Sequence, residues 1–242
     1  MPTRITIDGY RHYFDLEGNP FPSVTTVLSR TASEKSKKSL QSWAEKNPGG
    51  MEEASARGTA IHACVEAWIR GVDPDPGEHG AYWQGLDKHL ERYSEFLWSE
   101  RPLVPEWGHT VGDDGIARVW HPSGYAGCPD IIAKRGGLVG LLDLKTSVRP
   151  YHRWFPRDKK DRTAFSGYMK FRKCATQLAA YSKAIEHTCQ QPVDFVGMLV
   201  STPEITQCFI LDGQERQKYE LVWAQRLAEY QRLVELEKRL IA

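Results

Sequence analysis

Apolar residues recur at helical intervals in the first hundred residues, and in alternating or unbroken runs after them. Ile61, Val65, Trp68 and Ile69 share one side of a 3.6-residue period, which predicts a helix over residues 52–70. Ser23 offers an N-cap to a helix over 24–30. A helix over 33–46 is stopped by Pro48-Gly49-Gly50. A Pro/Gly loop over 73–80 leads into a fourth predicted helix, 81–100. Ahead of these, residues 4–22 read as a short strand pair around Glu17-Gly18-Asn19-Pro20.

The texture changes after Pro102. Residues 103–111 read as a strand, followed by the turn Gly112-Asp113-Asp114-Gly115. Strands are predicted at 124–134 and 138–145, joined by Arg135-Gly136-Gly137. A helix over 175–189, strands over 193–201 and 206–211 and a long amphipathic helix over 214–240 complete the chain. No internal repeat or linker interrupts it. The expectation is one domain over 1–242, with 1–101 mainly helical and 102–242 holding the sheet. The fold class is α+β: a mixed β-sheet flanked by helices.

Composition changes this picture little. Of 242 residues, 40% are hydrophobic and 26% charged, which suits a packed core and not a disordered chain. The net charge of +1 identifies no partner, so any nucleic-acid surface must arise from local clustering. No apolar run is long enough to span a membrane. The N-terminal stretch lacks the apolar segment of a signal peptide and carries Asp8 and Asp15, so a cytoplasmic protein is expected. Five scattered cysteines, 64, 128, 174, 189 and 208, form no CxxC pair. A zinc or iron–sulfur site is therefore not expected, and the thiols read as small buried side chains.

The chemistry concentrates in Gly127-Cys-Pro-Asp130 and Asp143-Leu-Lys145-Thr-Ser147. A strand's side chains alternate, so Asp143 and Lys145 share a face, and the hairpin returns Asp130 beside them. Asp143 ends the apolar run 138–142, where a solvated charge would be out of place. Two carboxylates suit a hard divalent cation such as Mg²⁺, with the Leu144 backbone carbonyl as a further ligand. A nearby ammonium can orient water or stabilise charge on a phosphate. The trio therefore points to phosphodiester hydrolysis.

With these pieces in order, the chain resembles the RecB-type exonucleases of the PD-(D/E)XK nuclease superfamily. The likeness is greatest to the mitochondrial genome maintenance exonuclease group and related phage and bacterial exonucleases. Pro22-Ser-Val-Thr25 resembles the N-terminal motif. Arg57-Gly-Thr-Ala-Ile-His62 with Glu66 resembles the helical His motif. The segments around Asp130 and Asp143 resemble motifs II and III, and Gln177-Leu-Ala-Ala-Tyr181 resembles the QxxxY helix. The resemblance implies a restriction-endonuclease-like core with Mg²⁺ or Mn²⁺ on His62, Asp130 and Asp143. It makes Lys145 the catalytic lysine, sets Gln177 and Tyr181 toward the scissile strand, and gives Glu66 and Glu106 supporting roles around the metal. It also implies work in DNA repair, recombination or phage DNA processing. The stretch between Ser147 and Gln177 is longer than the likeness leads one to expect. The four-cysteine pattern of iron–sulfur relatives is missing.

That longer stretch carries Arg149, Arg153, Arg157, Lys159, Lys160, Arg162, Lys170, Arg172 and Lys173, interleaved with Tyr151, Trp154, Phe155, Phe165, Tyr168 and Phe171. Cations that track phosphates and rings that stack on bases suit single-stranded DNA. With Ser147 and Tyr181 they form the expected DNA-binding set, on a loop that could arch over the site. Lys35, Lys37 and Lys38 read as a solvated helix face. The expected function is a metal-dependent exonuclease acting on single-stranded DNA ends. The alternatives are a structure-specific endonuclease and a non-catalytic nucleic-acid-binding module on a nuclease fold.

Overall fold

The computed structural model describes residues 4–14, 18–104, 118–158 and 160–241. Strands β1 (Arg4–Ile7) and β2 (Tyr10–Phe14) meet at Asp8-Gly9, both at positive φ (51° and 79°), as a two-residue hairpin turn requires. The strand pair expected around residues 17–20 is β2 with β3 (Pro20–Pro22), and β1 with its turn at Asp8-Gly9 is an additional strand. Three helices follow: α1 (Val24–Arg30), α2 (Glu34–Lys46) and α3 (Gly50–Ile69). Ser23 Oγ accepts the Thr26 N–H at 3.0 Å, so the predicted cap forms, and Ser33 Oγ accepts that of Ser36 at 3.2 Å, which makes Ser33 the cap of α2.

The predicted helix over 81–100 is replaced by α4 (Gly80–Trp83), α5 (Leu86–Leu90) and strand β4 (Glu95–Ser99). Gly85, at φ 83°, separates the two short helices. The run Phe96-Leu97-Trp98 gains more from pairing in the sheet than from continuing a helix. The two-residue strand β5 (Arg101–Pro102) turns back on β4. The strand predicted over 103–111 and its turn fall largely outside the described residues.

The strand expected over 124–134 is two strands. β6 (Val119–His121) and β7 (Tyr125–Gly127) form a small separate sheet, and β8 (Ile131–Arg135) joins the main one. Pro129 has no N–H to give a ladder, and the break falls there. β9 (Leu138–Thr146) pairs antiparallel with β8. α6 (Arg162–Cys189) begins thirteen residues before the predicted start at 175, capped by Asp161 Oδ1 on the Ala164 N–H at 2.8 Å. β10 (Phe195–Ser201), β11 (Thr206–Leu211) and α7 (Gly213–Ile241) close the chain.

The fold is α+β, as expected. Its main sheet runs β11-β10-β9-β8-β4-β5, with β9 and β10 parallel and the other pairs antiparallel. β9 is buried on both faces. Leu141 packs with α6 residues such as Leu178 and Ala184, while Leu142 and Leu144 pack with Ile61 and Val65 of α3. Asp143 thus faces α6, and the sheet holds the site between two helical layers.

Candidate active site

Four segments converge at the edge of β9. α3 supplies His62, the end of β4 supplies Glu100, the residue before β8 is Asp130, and β9 carries Asp143 and Lys145. The Glu100 N–H donates to the Asp130 carbonyl at 2.8 Å. Asp130 Oδ2 accepts the Leu144 N–H at 2.8 Å. His62 Nδ1 lies 2.7 Å from Glu100 Oε1, and its Nε2 lies 3.9 Å from Asp130 Oδ2. One ligand atom from each of His62, Glu100 and Asp130 falls within 4.8 Å of the others. These residues and Leu144 line one cleft.

Asp143 is 1% exposed and has three partners. Lys145 Nζ lies 2.5 Å from Oδ2, Gln177 Nε2 donates to Oδ1 at 3.0 Å, and the Cys174 thiol donates to Oδ2 at 3.1 Å. A buried carboxylate needs such donors. Burial nonetheless raises the Asp143 pKa, against the pull of Lys145. Burial would lower the Lys145 pKa, but Asp143 and then Asp130 outweigh it and hold the amine charged. For His62, burial again opposes charge, yet Asp130 and Glu100 raise its pKa to about 9. Burial, and then the Asp143 carboxylate, raise the Cys174 thiol well above its ordinary value. Cys174 is the small buried side chain the sequence suggested, and its thiol also donates to Asp143.

Gly127 has a structural reason. A Cβ there would stand 2.2 Å from the Tyr181 ring, so only glycine lets Tyr181 of α6 lie under the Asp130 turn. Tyr181 is 5% exposed. It supports the site from below, and its predicted contact with DNA is corrected on that ground.

The structure does not bring every expected residue to the centre. Glu66 pairs with Arg70 at 2.7 Å and Arg101 at 3.0 Å. Glu106 and Lys159 lie outside the described residues. Glu100 was not foreseen, because the segment was read as helix. The signal available was an acid closing the apolar run Phe96-Leu97-Trp98.

The basic stretch is a loop only as far as Asp161, and from Arg162 it is helix, which corrects the expectation of a long arch. Tyr151 and Phe171 are core residues. Trp154, Phe155 and Phe165 are exposed, with Phe155 packed edge-on against Phe165 and Tyr168. Arg153 pairs with Glu215 and lies over the Trp154 ring, and Arg172 lies over Tyr168. Arg157 and Lys160 are exposed near the start of α6. Burial, and then Lys145 and Arg226, hold the Lys173 pKa below its ordinary value. Ser147 is buried and accepts from Lys170 Nζ at 3.1 Å.

No family model and no curated protein matches this sequence. Among solved structures, the chain is similar to SSO0001 at 14% identity, over 88% of this chain and 75% of that one, with a TM-score of 0.39. It is also similar to a "Putative exonuclease" from Eubacterium rectale at 11% identity, over 72% of this chain and 68% of that one, with a TM-score of 0.38.

Proposed function

We propose that this chain is a PD-(D/E)XK-type, divalent-metal-dependent exonuclease acting on single-stranded DNA. The observation that carries the reading is the meeting of His62, Glu100 and Asp130 beside the Asp143–Lys145 pair. Ligands at about 2.0–2.6 Å from one hard cation stand no more than about 5 Å apart, and the 4.8 Å spread of this trio fits that limit. Two carboxylates with one imidazole suit Mg²⁺ or Mn²⁺, and the imidazole inclines the set toward Mn²⁺. Asp143, expected from the sequence as a ligand, is not one of this trio: Lys145 and Cys174 occupy its Oδ2 and Gln177 its Oδ1.

Such an ion supplies Lewis-acid polarisation of a phosphoryl oxygen and acidifies water. The chain's own residues do the rest. Lys145 holds a proton beside Asp143 and can direct its ammonium to the attacking water or to the developing charge on phosphorus. Gln177 fixes Asp143 from the α6 side. The Leu144 N–H fixes Asp130, so both carboxylates keep their place when substrate arrives. The exposed rings of Trp154, Phe155 and Phe165, with Arg157 and Lys160 near them, offer stacking surface and cations to a strand whose bases are free.

The test uses end-labelled linear single-stranded DNA and a circle of the same sequence, with Mg²⁺, with Mn²⁺ and with chelator. Loss of linear DNA that requires metal, with the circle spared, is expected. Lys145→Ala should cut the rate by about 10²–10³-fold, and Asp130→Asn should do at least as much, while both still bind DNA. A Lys145→Ala protein that cleaved like the wild type would remove the mechanism. Rapid nicking of the circle would replace the exonuclease reading with an endonuclease.

A further inference from the structure

Arg57 on α3 is 6% exposed. Its guanidinium carbon lies 4.8 Å from the centre of the Tyr82 ring. Its carboxylate neighbour, Glu53, is 3.7 Å from Nη1 with a side chain 74% exposed. Its Nε has no hydrogen-bond partner. A buried guanidinium with an unfilled donor costs free energy unless a ligand completes it.

The position of Arg57 suggests which ligand. At the next residue, Gly58, an added Cβ would stand 3.9 Å from Thr146 Oγ1. This turn of α3 therefore lies against the end of β9, one residue past Lys145. There Lys170 Nζ donates to Ser147 Oγ. Arg149, two residues on, donates from Nη1 to Thr163 Oγ1 at 2.5 Å. Burial, and then the charges of Arg57 and Arg149, hold the Lys170 pKa below its ordinary value. Both of these charges are positive, and α3, the loop after β9 and α6 bring the three side chains to the same end of β9 through Gly58–Thr146, Lys170–Ser147 and Arg149–Thr163.

We propose that Arg57, Lys170 and Arg149 form an anion seat at the end of β9 for a phosphate neighbouring the one at Lys145. A tetrahedral phosphate accepts from several sides at once, and a planar guanidinium beside ammonium groups suits it. The seat would set the register of the strand, fixing which bond reaches Lys145. The inference rests on the nuclease reading of the same site.

Binding of a fluorescent single-stranded oligonucleotide, with Ca²⁺ in place of Mg²⁺, tests it. Arg57→Gln should weaken binding by about ten- to a hundredfold, as expected for a charged hydrogen bond, and lower the salt slope by about 1. Lys170→Gln replaces a surface side chain and should act in the same direction even if Arg57→Gln folds poorly. A neutral methylphosphonate, moved along the strand, should weaken wild-type binding at one position and leave Arg57→Gln unaffected there. If the sensitive site is instead the strand end, compared as phosphate and as hydroxyl, the seat takes a terminal monoester. Unchanged affinity and salt slope in both variants would overturn the seat, while cleavage by the wild type would leave the nuclease reading standing. Weakened binding in both, by a wild type that cleaves no nucleic acid, would keep the seat and remove the nuclease reading.

Discussion

At the residue scale, the site is a balance between burial and donors. Asp143 stays in place because Lys145, Gln177 and Cys174 surround it. Asp143 and Lys145 were legible from strand alternation alone, and Asp130 from the hairpin. Gln177 and His62 were legible only through the family resemblance, since a helical i, i+4 spacing is equally a surface feature. Glu100 left only the trace of an acid closing an apolar run, and the grip of Cys174 depends on a contact between distant segments, which no local pattern encodes. Gln177→Ala should cost about 1.5–3 kcal/mol, because it removes a donor to a buried charge. Cys174→Ala should cost less, as a thiol is a weak donor. At about 2–4 °C per kcal/mol for a chain of this size, thermal melts resolve the order. An unchanged melting temperature in Gln177→Ala would mean that Asp143 does not rely on it. His62→Ala tests the imidazole separately. It should lower activity with Mn²⁺ more than with Mg²⁺, and parallel metal titration curves for mutant and wild type would deny His62 a ligand role.

At the element scale, capping and periodicity carried much of the reading. The Ser23 cap, the α3 stripe and the β8–β9 hairpin formed where local chemistry placed them. Two of the failures have a common cause: tertiary pairing overrode local preference. β4 reads as helix until β8 offers it a ladder, and the first turns of α6 read as loop because their outward face is basic and aromatic. One glycine shows how tightly two inner strands of the sheet are fitted. At Gly140, which pairs with Phe195 across β9 and β10, an added Cβ would meet the Phe195 ring at 2.0 Å. The Phe195 ring must shift, or β9, which carries Asp143, must move. Gly140→Ala should therefore destabilise the fold by about 1–3 kcal/mol. The double variant Gly140→Ala/Phe195→Leu should recover part of it, since the residues couple directly. Urea unfolding of the four proteins measures the coupling, and strict additivity would show that the clash is not what matters.

At the scale of the whole molecule, a net charge of +1 conceals a separation. Carboxylates gather with His62 at one corner of β9, while cations gather where the chain leaves it. Away from that site, two histidines limit the fold at low pH. His89 donates from Nε2 to the Thr206 carbonyl at 3.3 Å, and its Nδ1 is buried without a partner. Burial, and then Arg92, hold its pKa below the ordinary 6.5. His121 stacks on Tyr125. Burial, and then His187 and Lys183, lower its pKa also. Both rings are therefore neutral in the fold. In the unfolded chain each takes up a proton as the pH drops through about 6.5. The unfolded state then binds more protons than the native one, so stability falls with pH. The contribution is fully present above about 6.5 and is lost as the pH drops toward the lower folded values. The melting temperature should accordingly decline as the pH drops below 6.5. His89→Leu should flatten that decline, because leucine brings neither a titrating ring nor an unfilled nitrogen to the space between α5 and β11. Melts of wild type and His89→Leu across pH 5 to 8 provide the comparison. Parallel curves through the acid range would show that His89 has no part in the acid limit.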